Sequence, residues 1–324
     1  MRNAVRAIVL TVKPQHHPRN AHKNGYDFDA LCQSYPQLKP HVFINQYSKQ
    51  TIDFSDSQAV IALNTALLRH HYNINEWSIP KGFLCPAIPG RADYIHYLAD
   101  LLKETNNNKP AFKNVTALDI GTGASCIYSL LGNRIYDWKM VASDIDPKSI
   151  DNANAIIKAN QALSNQIDCR LQTSEKYIFR NIIHNDEYFD ITLCNPPFHE
   201  SIEQGMSGTQ RKWNNLNKSK DRNKKSEVLN FGGQNAELWC KGGELSFVKN
   251  MIKESRSYSK QVLWFTSLIS KKDNVSKLKL ALKKANAIET KVIKMEQGNK
   301  ISRFIAWSFL TDDERSDWCQ KRFE

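Results

Sequence analysis

From about residue 112 the sequence adopts a rhythm that few architectures satisfy. Short apolar runs, VTALDI (115–120), MVASDI (140–145), IDCRLQ (167–172), DITLCN (190–195) and QVLWFTSLI (261–269), alternate with stretches of helical length such as PKSIDNANAIIKAN and GELSFVKNMIKES. Strands separated by helices pair in parallel, because each crossover returns the chain to the same end of the sheet. The last two runs, TKVIKME (290–296) and FIAWSFL (304–310), follow a lysine-rich helix at about 275–286 and are joined by EQGNKISR. That Gly-Asn turn is too short for a crossover and predicts an antiparallel hairpin. The expected fold is therefore α/β: a Rossmann-like, seven-stranded, mostly parallel sheet with a C-terminal antiparallel hairpin.

The first 105 residues lack this rhythm. They open on a basic, turn-rich arm, KPQHHPRNAHKNG, and continue into helical patterns at DSQAVIALNTALLRHHY and GRADYIHYLADLLKE. In the second pattern Tyr94, Ile95, Leu98, Leu101 and Leu102 recur at helical spacing. The reading is a mainly helical N-terminal module over 1–105 and a larger α/β domain over 106–324. An insert at about 199–241 follows the fourth strand and contains RKWNNLNKSKDRNKK, seven basic residues and one acid in fifteen. A run of that kind is either a solvated loop or a polyanion contact.

Composition narrows the partners. Forty-five Lys and Arg against 33 Asp and Glu give +12 over 324 residues, with 41% hydrophobic residues to build a core. Such a chain is not globally disordered, and its charge suits nucleic acid or an anionic membrane. Seven cysteines, odd in number and scattered with no CxxC, argue against a disulfide framework or a zinc site and for a reducing, cytoplasmic setting; no metal is expected. AIVLTV near the start is too short for a signal peptide, and no run approaches the ~18 apolar residues of a membrane span.

Three motifs fall at strand ends. In LDIGTGASCIY, Asp119 precedes Gly121 and Gly123, a turn that lets backbone approach a ligand at a helix N-terminus. Cys126 stands where a dinucleotide fingerprint has its third glycine, so a nucleoside fits better than a pyrophosphate. A plain strand–helix turn would also explain the glycines. In ASDID, Asp144 can accept from both hydroxyls of a ribose, with Asp146 capping the next helix and leaving Asp144 free. In LCNPPF, two prolines stop a strand. The Asn195 amide oxygen and the Pro196 carbonyl can accept both protons of an exocyclic amine, while Phe198 stacks on its base. An Asn-Pro-Pro turn alone would also end a strand, but the three motifs in this order describe methylation of a planar amino group.

DIGTG, the acid at 144 and NPPF resemble the class I S-adenosylmethionine-dependent amino-methyltransferases. With HPRNAHKNGYDFDALC, GFLCPAIPGRADYIHYLADLL, LNFGGQNAELWCKGGELSFVKNMI, QVLWFTSLIS and SRFIAWSF, the similarity extends over about 17–310 to the bacterial 23S ribosomal RNA adenine-N6-methyltransferases of the RlmF type. A eukaryotic relative modifies spliceosomal small nuclear RNA. The resemblance implies S-adenosylmethionine as cofactor, with Arg91 on its carboxylate, Asp119 at its amino group, Gly121, Gly123 and Ser125 along it, Asp144 on the ribose and Ser174 near the adenine. It implies Asn195, Pro196 and Phe198 around the target adenine. The RNA grip is expected from His17, Arg19 and Lys23 of the arm and from Arg211, Lys212, Trp213, Lys218, Lys220, Arg222, Lys224 and Lys225 of the insert. The partner would be 23S ribosomal RNA or a large-subunit assembly intermediate, met by a monomer. An adenine-N6 methyltransferase acting on another structured RNA or on DNA, a protein-glutamine methyltransferase and a non-catalytic RNA-binding protein are the alternatives.

Overall fold

The computed structural model describes residues 16–109, 114–197, 240–297 and 300–323. The N-terminal part contains α1 (Phe28–Ser34), a small antiparallel hairpin of β1 (Val42–Ile44) and β2 (Gln50–Ile52), α2 (Ser57–Tyr72) and α3 (Ile88–Thr105). The chain then runs through β3 (Thr116–Ile120), α4 (Ile127–Tyr136), β4 (Lys139–Asp144), α5 (Pro147–Ala159), β5 (Ile167–Leu171) and β6 (Phe189–Cys194). It finishes with α6 (Gly243–Ser255), β7 (Val262–Leu268), α7 (Asn274–Lys284), β8 (Glu289–Gln297), β9 (Lys300–Ser308) and α8 (Asp312–Phe323).

Short-range chemistry sets the helix starts. Asp27, Asp56 and Asp146 each accept a backbone N–H from the first turn of α1, α2 and α5. Pro147 occupies the first position of α5, where no N–H is needed. Asn73 closes α2 in the left-handed conformation (φ 53°), which asparagine tolerates better than a β-branched residue would.

The seven strands lie in the order β5-β4-β3-β6-β7-β9-β8. The first five are parallel; β9 is antiparallel to β7, and β8 to β9. The expected hairpin is present, and its second strand, not its first, joins the parallel sheet. Strand order reverses direction between β3 and β6, which is where sheets of this kind open a crevice at their carboxyl ends.

The sheet is covered on both faces. Along β3, Ala117 joins one apolar cluster, and Leu118 and Ile120 join the other, as the two-residue period of a strand requires. The first cluster also holds Phe28 and Leu31 of α1, Leu63, Leu67 and Leu68 of α2, Leu98 and Leu102 of α3, and Trp264 of β7. The N-terminal helices and the sheet thus share a continuous interior. Below the strands' amino ends, fully buried Asp190 accepts from Thr116 N (2.7 Å), Trp318 Nε1 (2.7 Å) and the Arg322 guanidinium (2.6 and 2.9 Å), fastening α8 to the sheet.

Candidate active site

A cavity of about 590 Å³ opens at the carboxyl ends of β3, β4 and β6. Its floor is the turn after β3. Gly121 (φ +70°) and Gly123 (φ +63°) take left-handed conformations open to glycine without strain. Gly121 N and Thr122 N donate to Ser143 O of β4 at 2.9 and 3.0 Å, which fixes the turn against its neighbour strand. A Cβ on Gly121 would meet no atom within 4 Å, so the space above it is clear for a ligand.

Asp144 lines the cavity at the end of β4, but it is not free. Its Oδ2 accepts Gly123 N (2.8 Å) and its Oδ1 accepts Asp146 N (2.9 Å). Asp146 is the cap of α5 as expected, yet the two aspartates are linked. A carboxylate has about four acceptor sites, so Asp144 retains capacity for two hydroxyls. Burial raises its pKa above the ordinary value.

Asp119 is a correction. It is fully buried and does not line the cavity; it lies beneath the turn, where Oδ2 accepts from Thr122 Oγ1 (2.8 Å) and Ser129 Oγ (3.1 Å). The strand period turns it towards α4. Its Oδ1 is buried with no partner among the described residues. Burial, with the Asp144 charge adding to it, pushes its pKa up to about 6.

Arg91 and Ser125 also line the cavity. Arg91 donates to the Tyr128 hydroxyl at 2.8 Å and lies over that ring at 5.4 Å. Among the described residues it has no carboxylate partner, so an uncompensated cation faces the cavity. Ser174 is also corrected. Its N–H donates to Gln172 Oε1 and its Oγ accepts from Lys176 N, which folds it into a local turn. Its neighbours Gln172 and Glu175 reach the wall instead.

The register Ile120↔Cys194 between β3 and β6 sets Asn195 beside the glycine turn. Asn195 lines the cavity, and its Oδ1 is buried without a partner among the described residues. Pro196 is buried, and Pro197 is the proline that lines the cavity. Phe198 lies outside the described residues.

Tyr177 and Ile178, from the segment after β5, are wall residues that carried no sequence signal, whereas Phe247 and Asn250 of α6 fall in the GELSFVKNMI stretch quoted above. Glu254, near the end of α6, draws these segments together by accepting Ile178 N (2.7 Å), Phe179 N (3.0 Å) and Arg180 N (2.8 Å). Leu84 and Pro86, also in the wall, do fall in the GFLCPAIPGRADYIH stretch and could have been read from it.

A second buried relay ties α3 to the strand bearing Asn195. Thr266 Oγ1 donates to Thr192 O (2.6 Å), so the Tyr94 hydroxyl, 2.6 Å from Thr266 Oγ1, must donate to Thr266 Oγ1. Tyr94→Phe keeps the ring but deletes that bond. It should cost about 1 kcal/mol of stability and, by loosening β6 near Asn195, lower kcat about fivefold with cofactor affinity unchanged. Steady-state kinetics beside a cofactor titration check this; an unchanged kcat would show that the relay does not position Asn195.

The expected RNA arm is otherwise employed. His17 is buried and bonds Asp100 through Nε2 (2.8 Å), while Arg19 donates to Asp100 (2.7 Å), Tyr136 (2.8 Å) and the His96 carbonyl (3.1 Å). These side chains staple the arm to α3 and α4, which leaves them poorly placed for phosphate. Lys23 is exposed, with Nζ on the Pro18 carbonyl. The basic insert, Arg211 to Lys225 with Trp213, lies outside the described residues.

Residues 10–311 match the family model described as RNA methyltransferase. The chain belongs to the RNA methyltransferase family. Within that family it is 54% identical over 303 residues to a Flavobacterium johnsoniae protein named Ribosomal RNA large subunit methyltransferase F, covering 93% of this chain and 96% of the relative. A Colwellia psychrerythraea protein of the same name is 56% identical over 296 residues, 90% of this chain and 98% of the relative. Among solved structures, the human METTL16 catalytic domain in complex with a MAT2A 3′UTR hairpin superposes with a TM-score of 0.76 at 29% identity, covering 92% of this chain and 96% of that one. The N-terminal domain of human METTL16 in complex with SAH gives 0.72 at 28% identity over 91% and 99% of the two chains. The RNA methyltransferase fold thus accounts for the sheet order, the cavity at its switch point and the motifs that line it.

Proposed function

We propose that this chain transfers a methyl group from S-adenosylmethionine to N6 of an adenine in 23S, large-subunit ribosomal RNA. The observation that carries this reading is the buried Oδ1 of Asn195 beside the glycine turn, without a partner among the described residues, in a chain 54% identical to a large-subunit methyltransferase over nearly its full length. Naked 23S RNA or a large-subunit assembly intermediate is the substrate, and the chain acts as a monomer in the cytoplasm.

The donor set suits the cofactor. An uncompensated arginine for a carboxylate, an aspartate with spare lone pairs for a ribose, and acidic groups near a cation describe a positively charged zwitterionic nucleoside. Arg91 would hold the carboxylate, Asp144 the ribose, and Gly121, Gly123 and Ser125 the body between. When bound, that group supplies an already activated methyl. The chain's contribution is then positioning. Asn195 accepts one proton of the exocyclic amine and the NPP backbone the other, which aims the nitrogen's lone pair into the cavity. The adenine reaches this clamp unstacked from its neighbours. No strong base is required, because the proton is acidic only after attack and passes to water. Mapping N6-methyladenine in ribosomal RNA from cells with and without the protein tests the reading. A map with no site that depends on the protein would reject it.

Asp119 adds a pH dependence. With its folded pKa raised to about 6, its contribution to the stability of the cofactor-free fold is complete below the ordinary carboxyl range and is lost as pH rises through about 6. Its charged form, favoured above that pH, is the one that attracts a cation across the turn. The rise in Tm on adding S-adenosylmethionine should therefore grow between about pH 5 and about pH 7, and Asp119→Asn should flatten the trend. An equally steep trend in that variant would assign the titration elsewhere.

A further inference from the structure

We propose that the exposed basic faces of α6 and α7 form a phosphate-binding ridge for the RNA strand that brings the target adenine to the cavity. The proposal rests on the RNA-methylation reading above and draws on cations other than those expected of the arm and the insert.

Residues 241–284 hold eleven lysines and arginines and three acids, a net +8 of the chain's +12. Two of those acids do not face the cations. Glu244 is buried and accepts from the Ser270 hydroxyl and from Asn274 Nδ2, and Glu254 is occupied by the backbone N–H groups of 178–180. Lys249, Lys253 and Arg256 are exposed and follow one another at spacings of four and three, so they share one face of α6 and its continuation. α7 packs against α6 and adds exposed Lys277 and Lys284, two turns apart on one face. Among the described residues none of these five cations has an acidic partner. A helix surface evolved only for solubility intersperses both signs, since like charges one turn apart repel. A single-sign strip is the form that suits a polyanion.

The strip also leads to the chemistry. Lys241, just before α6, lines the cavity, as do Phe247 and Asn250 on α6 itself. With a rise of about 1.5 Å per residue, Lys249, Lys253 and Arg256 follow one another along the helix at about 6 and then about 4.5 Å. Phosphates of a strand entering the cavity would meet a cation at each step without any base being read.

The test uses the full chain with Lys249→Gln, Lys253→Gln, Lys277→Gln and Lys284→Gln combined, and deproteinised large-subunit ribosomal RNA as the probe. Losing four phosphate contacts should reduce the slope of log affinity against log salt by about 3 and raise KM for RNA about tenfold or more. The kcat at saturating RNA and the Tm shift with S-adenosylmethionine should stay as in the parent. An unchanged salt slope and KM would overturn the ridge. So would a defect seen only on ribosomal particles and not on naked RNA, which would make the face a protein contact. Failure of the methylation reading appears separately, as a parent protein that binds RNA with the expected salt slope but leaves it unmethylated.

Discussion

Asn195→Ala should lower kcat by about 10²–10³-fold while cofactor affinity stays within about a factor of two. The Asn195 amide oxygen is buried and bonds nothing among the described residues, so it is an acceptor held ready at a desolvation cost. An acceptor of that kind acts most strongly when the amine it orients begins to bear charge, which is why the loss should fall on kcat. The same fact makes the variant a clean one. No described hydrogen bond is broken, so thermal stability should not fall, and removal of an unsatisfied buried group can raise it. Single-turnover methylation, a cofactor titration and a thermal melt together decide the matter. Turnover near that of the parent would remove Asn195 from the reaction.

The second large effect is expected far from the cavity. Asp190→Ala should cost about 3 kcal/mol or somewhat more, because the Arg322 guanidinium, the Trp318 indole N–H and the Thr116 amide would all lose their shared acceptor. Arg322 is about a quarter exposed (26%), so water recovers part of its solvation, which favours the lower figure. Urea unfolding reads the loss directly, and the folded fraction should bind cofactor as before, since the site lies at the opposite ends of the strands. A loss under about 1 kcal/mol would mean that α8 is held by packing alone.

The strand–helix rhythm was legible because it is local: each run carries its own apolar residues and each cap its own aspartate. All seven strands of the main sheet and the antiparallel pair could be read in this way. The position of β9 between β7 and β8 could not, because a hairpin's register does not say which of its strands faces the rest of the sheet. The small β1–β2 hairpin was also missed, with two three-residue strands too short to show a period. At the cavity, Arg91, Gly121, Gly123, Ser125, Asp144 and Asn195 meet. Asp119 was misplaced by one face of a strand. His17 and Arg19 were misread because a basic residue in a sequence does not disclose a distant acid. Asp100 lies more than eighty residues away in sequence, and the pair forms only once α3 is in place. Tyr177 and Ile178 depend on Glu254 reaching three amides some 75 residues upstream, and no local pattern encodes that.

The strand order has a consequence for synthesis. β8 touches the main sheet only through β9, which is made after it, and the outer edge of β7 stays unpaired until β9 arrives. During translation the five parallel strands and the cavity they carry can assemble while that edge, with its buried Phe265 and Trp264, is still open. The nascent enzyme therefore passes through a stage at which its reaction site is largely in place but its sheet can still pair with a stranger, and closure is a late event governed by its last strand.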